Sequence, residues 1–165
     1  MAVHIAQAET PEQIAAVGEL LHEYTAWAIT LEPGSENAPA FEGLHRELAT
    51  LPGVYGPPSG RLLLATVDGG PAGCVGFRKH DDATCEVKRL YVRPGFRGLK
   101  VGPQLVARLL EEARAAGYGR IILDSHHTMT AAHAVYEAAG FRRVAPRDDV
   151  PDWIRSIAVF MERDL

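Results

Sequence analysis

Apolar residues along this chain recur at two spacings, and the switches between them divide it into elements. Val3 to Ala6 is a short apolar stretch that predicts a strand. Ile14, Val17, Leu21, Tyr24 and Ala28 then fall three or four positions apart, the stripe of an amphipathic helix. Thr10, Pro11 and Gln13 spell a capping box and a first-turn proline at its start. Gly34 and prolines 33 and 39 predict a connection from Thr30 to Pro39, after which Phe41, Leu44, Leu48 and Leu51 mark a shorter helix. Pro52 to Gly60 reads as a loop. Three strands follow, Arg61–Val67, Ala72–Lys79 and Glu86–Val92, separated by turn signals at Asp68–Pro71 and Asp81–Ala83. Leu105, Val106, Leu109, Leu110 and Ala113 predict a helix from Pro103 that Gly117 stops. Arg120–Ser125 is a nearly continuous apolar run, as expected of a buried central strand. Thr128 or Thr130 is predicted to cap a last helix, which ends at Ala138-Ala139-Gly140. Phe141–Val144 and Ser156–Glu162 are the closing strands, on either side of an acidic loop from Pro146 to Asp152.

That order predicts an α/β fold, in the sense of one mixed sheet with helices on both faces. A chain of 165 residues is long enough for one continuous core, so residues 1–165 are read as a single domain. Composition narrows the function classes. A formal net charge of −4 provides no basic field for nucleic acid. No apolar run reaches the roughly 18–20 residues that span a bilayer, and MAVHIAQAETPEQ lacks the halves of a secretion signal. A cytoplasmic location is therefore expected. Cys74 and Cys85 fall in neighbouring strands; a hairpin turning near Asp81 and Asp82 would set Cys85 opposite Arg78 and Cys74 opposite Arg89, leaving two reduced thiols.

The chemistry concentrates between Glu86 and Leu109, EVKRLYVRPGFRGLKVGPQLVARL. A strand runs into a turn with three glycines and three cations, and then into a helix. The first amides of a helix lack internal partners, and its dipole favours negative charge, so this arrangement makes an anion site. The spacing is not that of a Walker loop, because Gly95 and Gly98 are too close and no Ser or Thr follows Lys100. Nor is there a GxGxxG triplet.

Arg97-Gly98-Leu99-Lys100-Val101-Gly102 resembles the acetyl-CoA motif [RQ]xxGx[GA] of the GNAT superfamily of N-acetyltransferases, with Lys100 in place of the motif's first glycine. Two further stretches are similar to the family: AAHAVYEAAGF at 131–141, and the ending AVFMERDL. The likeness is to small bacterial-type members, in which a Leu-Pro pair would be more usual than His126-His127.

The resemblance implies a GNAT-like acyl-CoA N-acyltransferase fold and transfer of acetyl from acetyl-CoA to a primary amine by direct attack. It places the cofactor on Leu90, Tyr91, Val92 and the loop Arg97, Gly98, Leu99, Lys100, Val101 and Gly102. An amide near Leu90 would face the acetyl carbonyl, and Val92 would pair with the pantetheine arm. A residue at position 100 with positive φ would be strained as lysine; in the first helical turn its ammonium would be an added phosphate partner. Tyr136 is the implied proton donor to the thiolate, and Glu86 the implied general base, acting directly or through water; His126 or His127 at the end of the central strand is the alternative base. Tyr24, Trp27, His126, His127 and the acids Asp148, Asp149 and Asp152 would border the acceptor. His126, His127 and His133 suggest a metal, but their spacing matches no ligand pair on a helix and no acid or Cys completes a set, so no metal is expected. The acceptor amine and a homodimer are left open. The rival reading is an acyl-CoA-binding sensor of the same fold that does not turn over.

Overall fold

The computed structural model describes residues 1–165 as one seven-stranded sheet. The elements are β1 (Val3–Gln7), α1 (Pro11–Leu31), α2 (Pro39–Ala49), β2 (Arg61–Val67), β3 (Gly70–Lys79), β4 (Thr84–Val92), α3 (Val101–Ala115), β5 (Arg120–His126), α4 (Thr130–Ala138), β6 (Arg142–Val144), α5 (Asp152–Arg155) and β7 (Ala158–Asp164). Strand order is β1-β2-β3-β4-β5-β7-β6, antiparallel throughout except where β5 runs parallel to β4. A parallel pair needs a long crossover, and α3 supplies it.

Alternation along the strands sends side chains to two cores. Leu63, Ala65, Val67, Val75 and Phe77 pack under Leu105, Val106 and Leu109 of α3. Leu62, Leu64 and Cys74 point the other way, against Val17, Leu20 and Leu21 of α1. The helices therefore cover both faces, as the element order predicts. The capping box at α1 is formed: Gln13 N donates to Thr10 Oγ1 at 3.2 Å, and Thr10 N to Gln13 Oε1 at 3.0 Å.

Several details differ from the sequence reading. The β3–β4 hairpin pairs Arg78 with Glu86, Lys79 with Cys85 and Cys74 with Tyr91, so neither cysteine has the neighbour expected for it. The turn sets the register one residue off the expected one from Cys85 onward, and an irregularity in the ladder adds a second step: Gly76 faces Lys88 and Cys74 faces Tyr91, leaving Arg89 and Leu90 opposite Val75 alone. This is a β-bulge, and Arg89 sits in it at φ 65°. Both thiols remain free and buried, and burial pushes each up to about 12. Helix α3 starts at Val101, two residues before the predicted Pro103. Neither threonine caps α4 with its side chain; Met129 is the cap residue, and Thr128 Oγ1 lies 2.7 Å from His126 Nδ1 instead. The loop from Pro52 hides a core residue, Tyr55, whose hydroxyl donates to Glu47 Oε2 at 2.9 Å.

Candidate active site

The bulge shapes the site. β4 is paired with β5 only through Thr84, Cys85 and Glu86. A bulge bends its strand and increases local twist, and from Val87 to Val92 β4 has no ladder partner on its β5 side. The two strands part there, and the opening between them is the floor of two cavities.

The first is a groove of about 420 Å³ between the end of β4, the loop that follows it and the start of α4. After Val92 the chain makes one 3₁₀ turn (Pro94–Phe96), then passes Gly98 at φ 93° and Lys100 at φ 58°, ψ 32° before entering α3. The amides of Gly98, Lys100, Val101 and Gly102 donate to no carbonyl or side chain of the protein, and all four residues line the groove. They sit at the positive end of a 15-residue helix. That is a nest for a polyanion. Gly102 leaves space rather than avoiding a clash, because a Cβ there would meet only Val135 and Val92 side chains at 3.8 and 3.9 Å. Lys100 takes the positive-φ alternative, so glycine's usual place in the motif has a backbone cause, and lysine here carries strain. Arg97 donates from Nε to Val92 O at 3.2 Å, occupying the carbonyl expected to meet a pantetheine arm. Leu99 packs against the main core instead of lining the groove.

The second cavity, also about 420 Å³, lies beyond Leu90 and is enclosed by the last turns of α1, by α2, by the end of β5 and by α4. Leu90, Met129 and Ala132 line both spaces, so the cavities meet where β4 and β5 part. Tyr136 reaches the second cavity from α4. Its ring rests on Phe141 at 5.4 Å, its hydroxyl has no protein partner, and burial raises its pKa above the ordinary phenol value. Tyr24 and His126 line the same space. Trp27 instead lines the groove side, and Asp148, Asp149 and Asp152 line neither cavity. His127 is exposed beside His126.

Glu86 lies elsewhere. It is buried, with Arg78 at 3.1 Å, Lys88 at 3.6 Å and Arg147 at 3.8 Å, and it lines a shallow pocket with Val54 and His80, apart from Tyr136. Burial works to raise its carboxyl, but Lys88, Arg78 and Arg147 outweigh burial and hold it below the usual carboxylate range. The acid that does line the acceptor-side cavity is Asp124, which makes no ion pair and no side-chain hydrogen bond within the protein. One signal could have found it: a lone carboxylate inside the apolar run of a central strand. Arg89 was missed too. It lines the cavity with its side chain 16% exposed; its Nε donates to Glu47 Oε2 at 3.0 Å, and the Tyr24 hydroxyl beside it also draws on the guanidinium.

The profile of the GNAT family of acetyltransferases matches residues 19–141. The chain belongs to this family. It is 39% identical over 108 residues, 64% of its length, to an uncharacterised N-acetyltransferase of Schizosaccharomyces pombe, of which it spans 66%. It is 35% identical over 107 residues to the N-acetylaspartate synthetase of Mus musculus, covering 64% of this chain and 36% of that protein. Among solved structures, a PaiA N-acetyltransferase from Thermoplasma acidophilum in complex with coenzyme A superposes with a TM-score of 0.71 at 16% identity, covering 100% of both chains. The seven-stranded mixed sheet is thus the family's fold. No helix is long and apolar enough to cross a membrane.

Proposed function

We propose that this GNAT protein transfers acetyl from acetyl-CoA to a primary amine by direct attack, and that the amine belongs to a molecule which also carries a carboxylate. The observation that carries the first half is the meeting of the two cavities at Leu90. A pyrophosphate held by the loop amides leaves the pantetheine to run along β4 toward Leu90, and the acceptor cavity opens on the other side of that point. The amine nitrogen bonds to the thioester carbon, the C–S bond breaks, and the thiolate takes a proton from the Tyr136 hydroxyl. Backbone donors of the unpaired β4 segment stabilise the oxyanion, an effect typically worth a few kcal/mol per donor. Asp124 holds the incoming ammonium, which loses one proton to water before the neutral amine attacks; the second proton, released from nitrogen as the amide forms, returns through water to the Tyr136 phenolate. Glu86 is the weaker choice of base, since it sits under three cations outside the cavity.

The carboxylate half rests on Arg89. A guanidinium presents a planar fork that matches a carboxylate, and this one lines the cavity, largely buried, with one carboxylate, Glu47, paired to its Nε and the Tyr24 hydroxyl beside it. The likeness to an enzyme named for N-acetylaspartate points the same way. The test measures thiol release from acetyl-CoA with paired acceptors, each amine offered with and without its carboxylate. Carboxylated amines should react best, and Arg89→Gln should raise their KM by at least about tenfold, or 1.4 kcal/mol, with little effect on the decarboxylated partners. Equal rates for both members of each pair would remove the carboxylate claim. Acetyl-CoA binding with no thiol release across the panel would leave the non-catalytic, acyl-CoA-sensing reading in its place.

A further inference from the structure

The rim of the acceptor cavity brings together three metal-ligating side chains that lie far apart in sequence. Glu32 is the C-cap residue just after α1, His126 ends β5, and His127 follows it. One ligand atom from each lies within 4.8 Å of the other two. His126 Nε2 is 2.7 Å from Glu32 Oε1, and the two imidazoles stack at 4.6 Å with 26° between their planes. Successive side chains on a strand point to opposite faces, but β5 stops at His126, and the His127 amide is tied to Ile157 O at 2.9 Å. The second ring is thereby turned back beside the first. A hydrogen bond from His126 explains the position of Glu32; it does not explain His127, which makes no side-chain hydrogen bond of its own and still delivers a ring nitrogen to the same point.

We propose that Glu32, His126 and His127 form a site for a divalent transition-metal ion of the zinc class. Two imidazoles and one carboxylate form a borderline-soft set that suits zinc and its neighbours better than magnesium or calcium. Zinc–ligand bonds of about 2.0–2.2 Å require neighbouring tetrahedral ligands to be roughly 3.3 Å apart, so His126 and Glu32 open slightly while His127 closes in. The Thr128 amide now donates to His126 Nδ1 at 3.2 Å; with metal on Nε2 the proton would move to Nδ1, which would then donate to Thr128 Oγ1, 2.7 Å away, as metal-bound histidines do to their outer partners. Three protein ligands leave a fourth position. Because Glu32 and His126 both line the acceptor cavity, that position opens toward it and takes water or a donor atom of an acceptor. The site stands on these three side chains and does not depend on the acetyl-transfer reading.

The test uses the full chain, stripped with chelator and carrying no histidine tag. Zn²⁺ is titrated by calorimetry, and Co²⁺ by the visible absorption of a tetrahedral site. One ion should bind per chain, and His127→Gln and Glu32→Gln should each weaken binding at least about tenfold, while His45→Gln, exposed on α2 and outside the cluster, leaves it unchanged. His127 is exposed, so its variant should fold, and a thermal melt on the same preparation checks this. Absence of one-to-one binding by the parent protein would overturn the proposal, as would binding that survives either ligand substitution in a folded variant.

Discussion

At the scale of single residues, Tyr136 and Glu86 are both buried and ionisable, and their surroundings separate their roles. Burial keeps the Tyr136 phenol protonated beyond its ordinary range, and its hydroxyl has no protein partner to compete with a ligand. Tyr136→Phe should leave acetyl-CoA affinity and melting temperature nearly unchanged while kcat falls by roughly 10²–10⁴, the usual contribution of a positioned acid. Because the shift is upward, loss of the Tyr136 proton should set no alkaline limit on kcat below pH 10. A Phe variant with near-full kcat would make Tyr136 a packing residue. Glu86 has the opposite sign. Its pKa is held below the 4.5 of a free carboxyl, so its contribution to stability is present above that value and is lost as pH falls through the lowered one. Glu86→Gln leaves Arg78, Lys88 and Arg147 around a neutral amide, costing roughly 1–3 kcal/mol at pH 7, since the cations are partly solvated. The deficit should shrink below about pH 4. A deficit in denaturant melts that ignores pH would contradict this account.

At the scale of elements, the start of α3 carries two separable effects. Lys100 sits in the left-handed region, where a side chain costs about 1–2 kcal/mol and glycine almost nothing. Lys100→Gly should therefore stabilise the fold by about 1 kcal/mol, a rise of roughly 2–4 °C for a domain of this size. The same change removes a charge from the groove and should make CoA affinity less sensitive to salt. A lower melting temperature would show that Lys100 makes contacts worth more than its strain. Gly102 behaves differently, because a Cβ there fits without backbone conflict. Gly102→Glu should fold normally yet weaken acetyl-CoA by at least about tenfold, through bulk and negative charge beside the pyrophosphate nest. Calorimetry on a folded Gly102→Glu protein with unchanged affinity would remove the loop from the cofactor site.

At the scale of the whole molecule, the sheet is weakest where it functions. Beyond Glu86 the arms β4 and β5 are not joined by a ladder, and the groove between them has polar backbone on one side and α4 on the other. A ligand that fills it binds only the folded state. Free acetyl-CoA at 100 times its Kd should add about 2.7 kcal/mol. At roughly 2–4 °C per kcal/mol, the melting temperature should rise about 5–11 °C, and keep rising with the logarithm of ligand concentration. A melt indifferent to acetyl-CoA would mean that the groove does not bind it.

The sequence by itself determined what depends on local spacing. Stripe and alternation marked the main helices and strands, turn residues divided them, and Arg97 to Gly102 with AAHAVYEAAGF at 131–141 pointed to the acetyltransferase family. Those signals are short-range, because amphipathicity, capping and turn chemistry act over a few residues. Tertiary structure alone decided what depends on register and long-range approach. The bulge at Arg89 has no glycine to announce it, yet β4 parts from β5 along that stretch, while Glu86 before it stays paired with Ile122 and held by Arg78, Lys88 and Arg147, outside the cavity that Asp124 enters. His126 and His127 had no third ligand within reach of their own segment; Glu32 arrives from the end of a helix 94 positions away. Which face a side chain occupies after a one-residue slip, and which distant side chain it then meets, is set by packing the whole sheet between its helices.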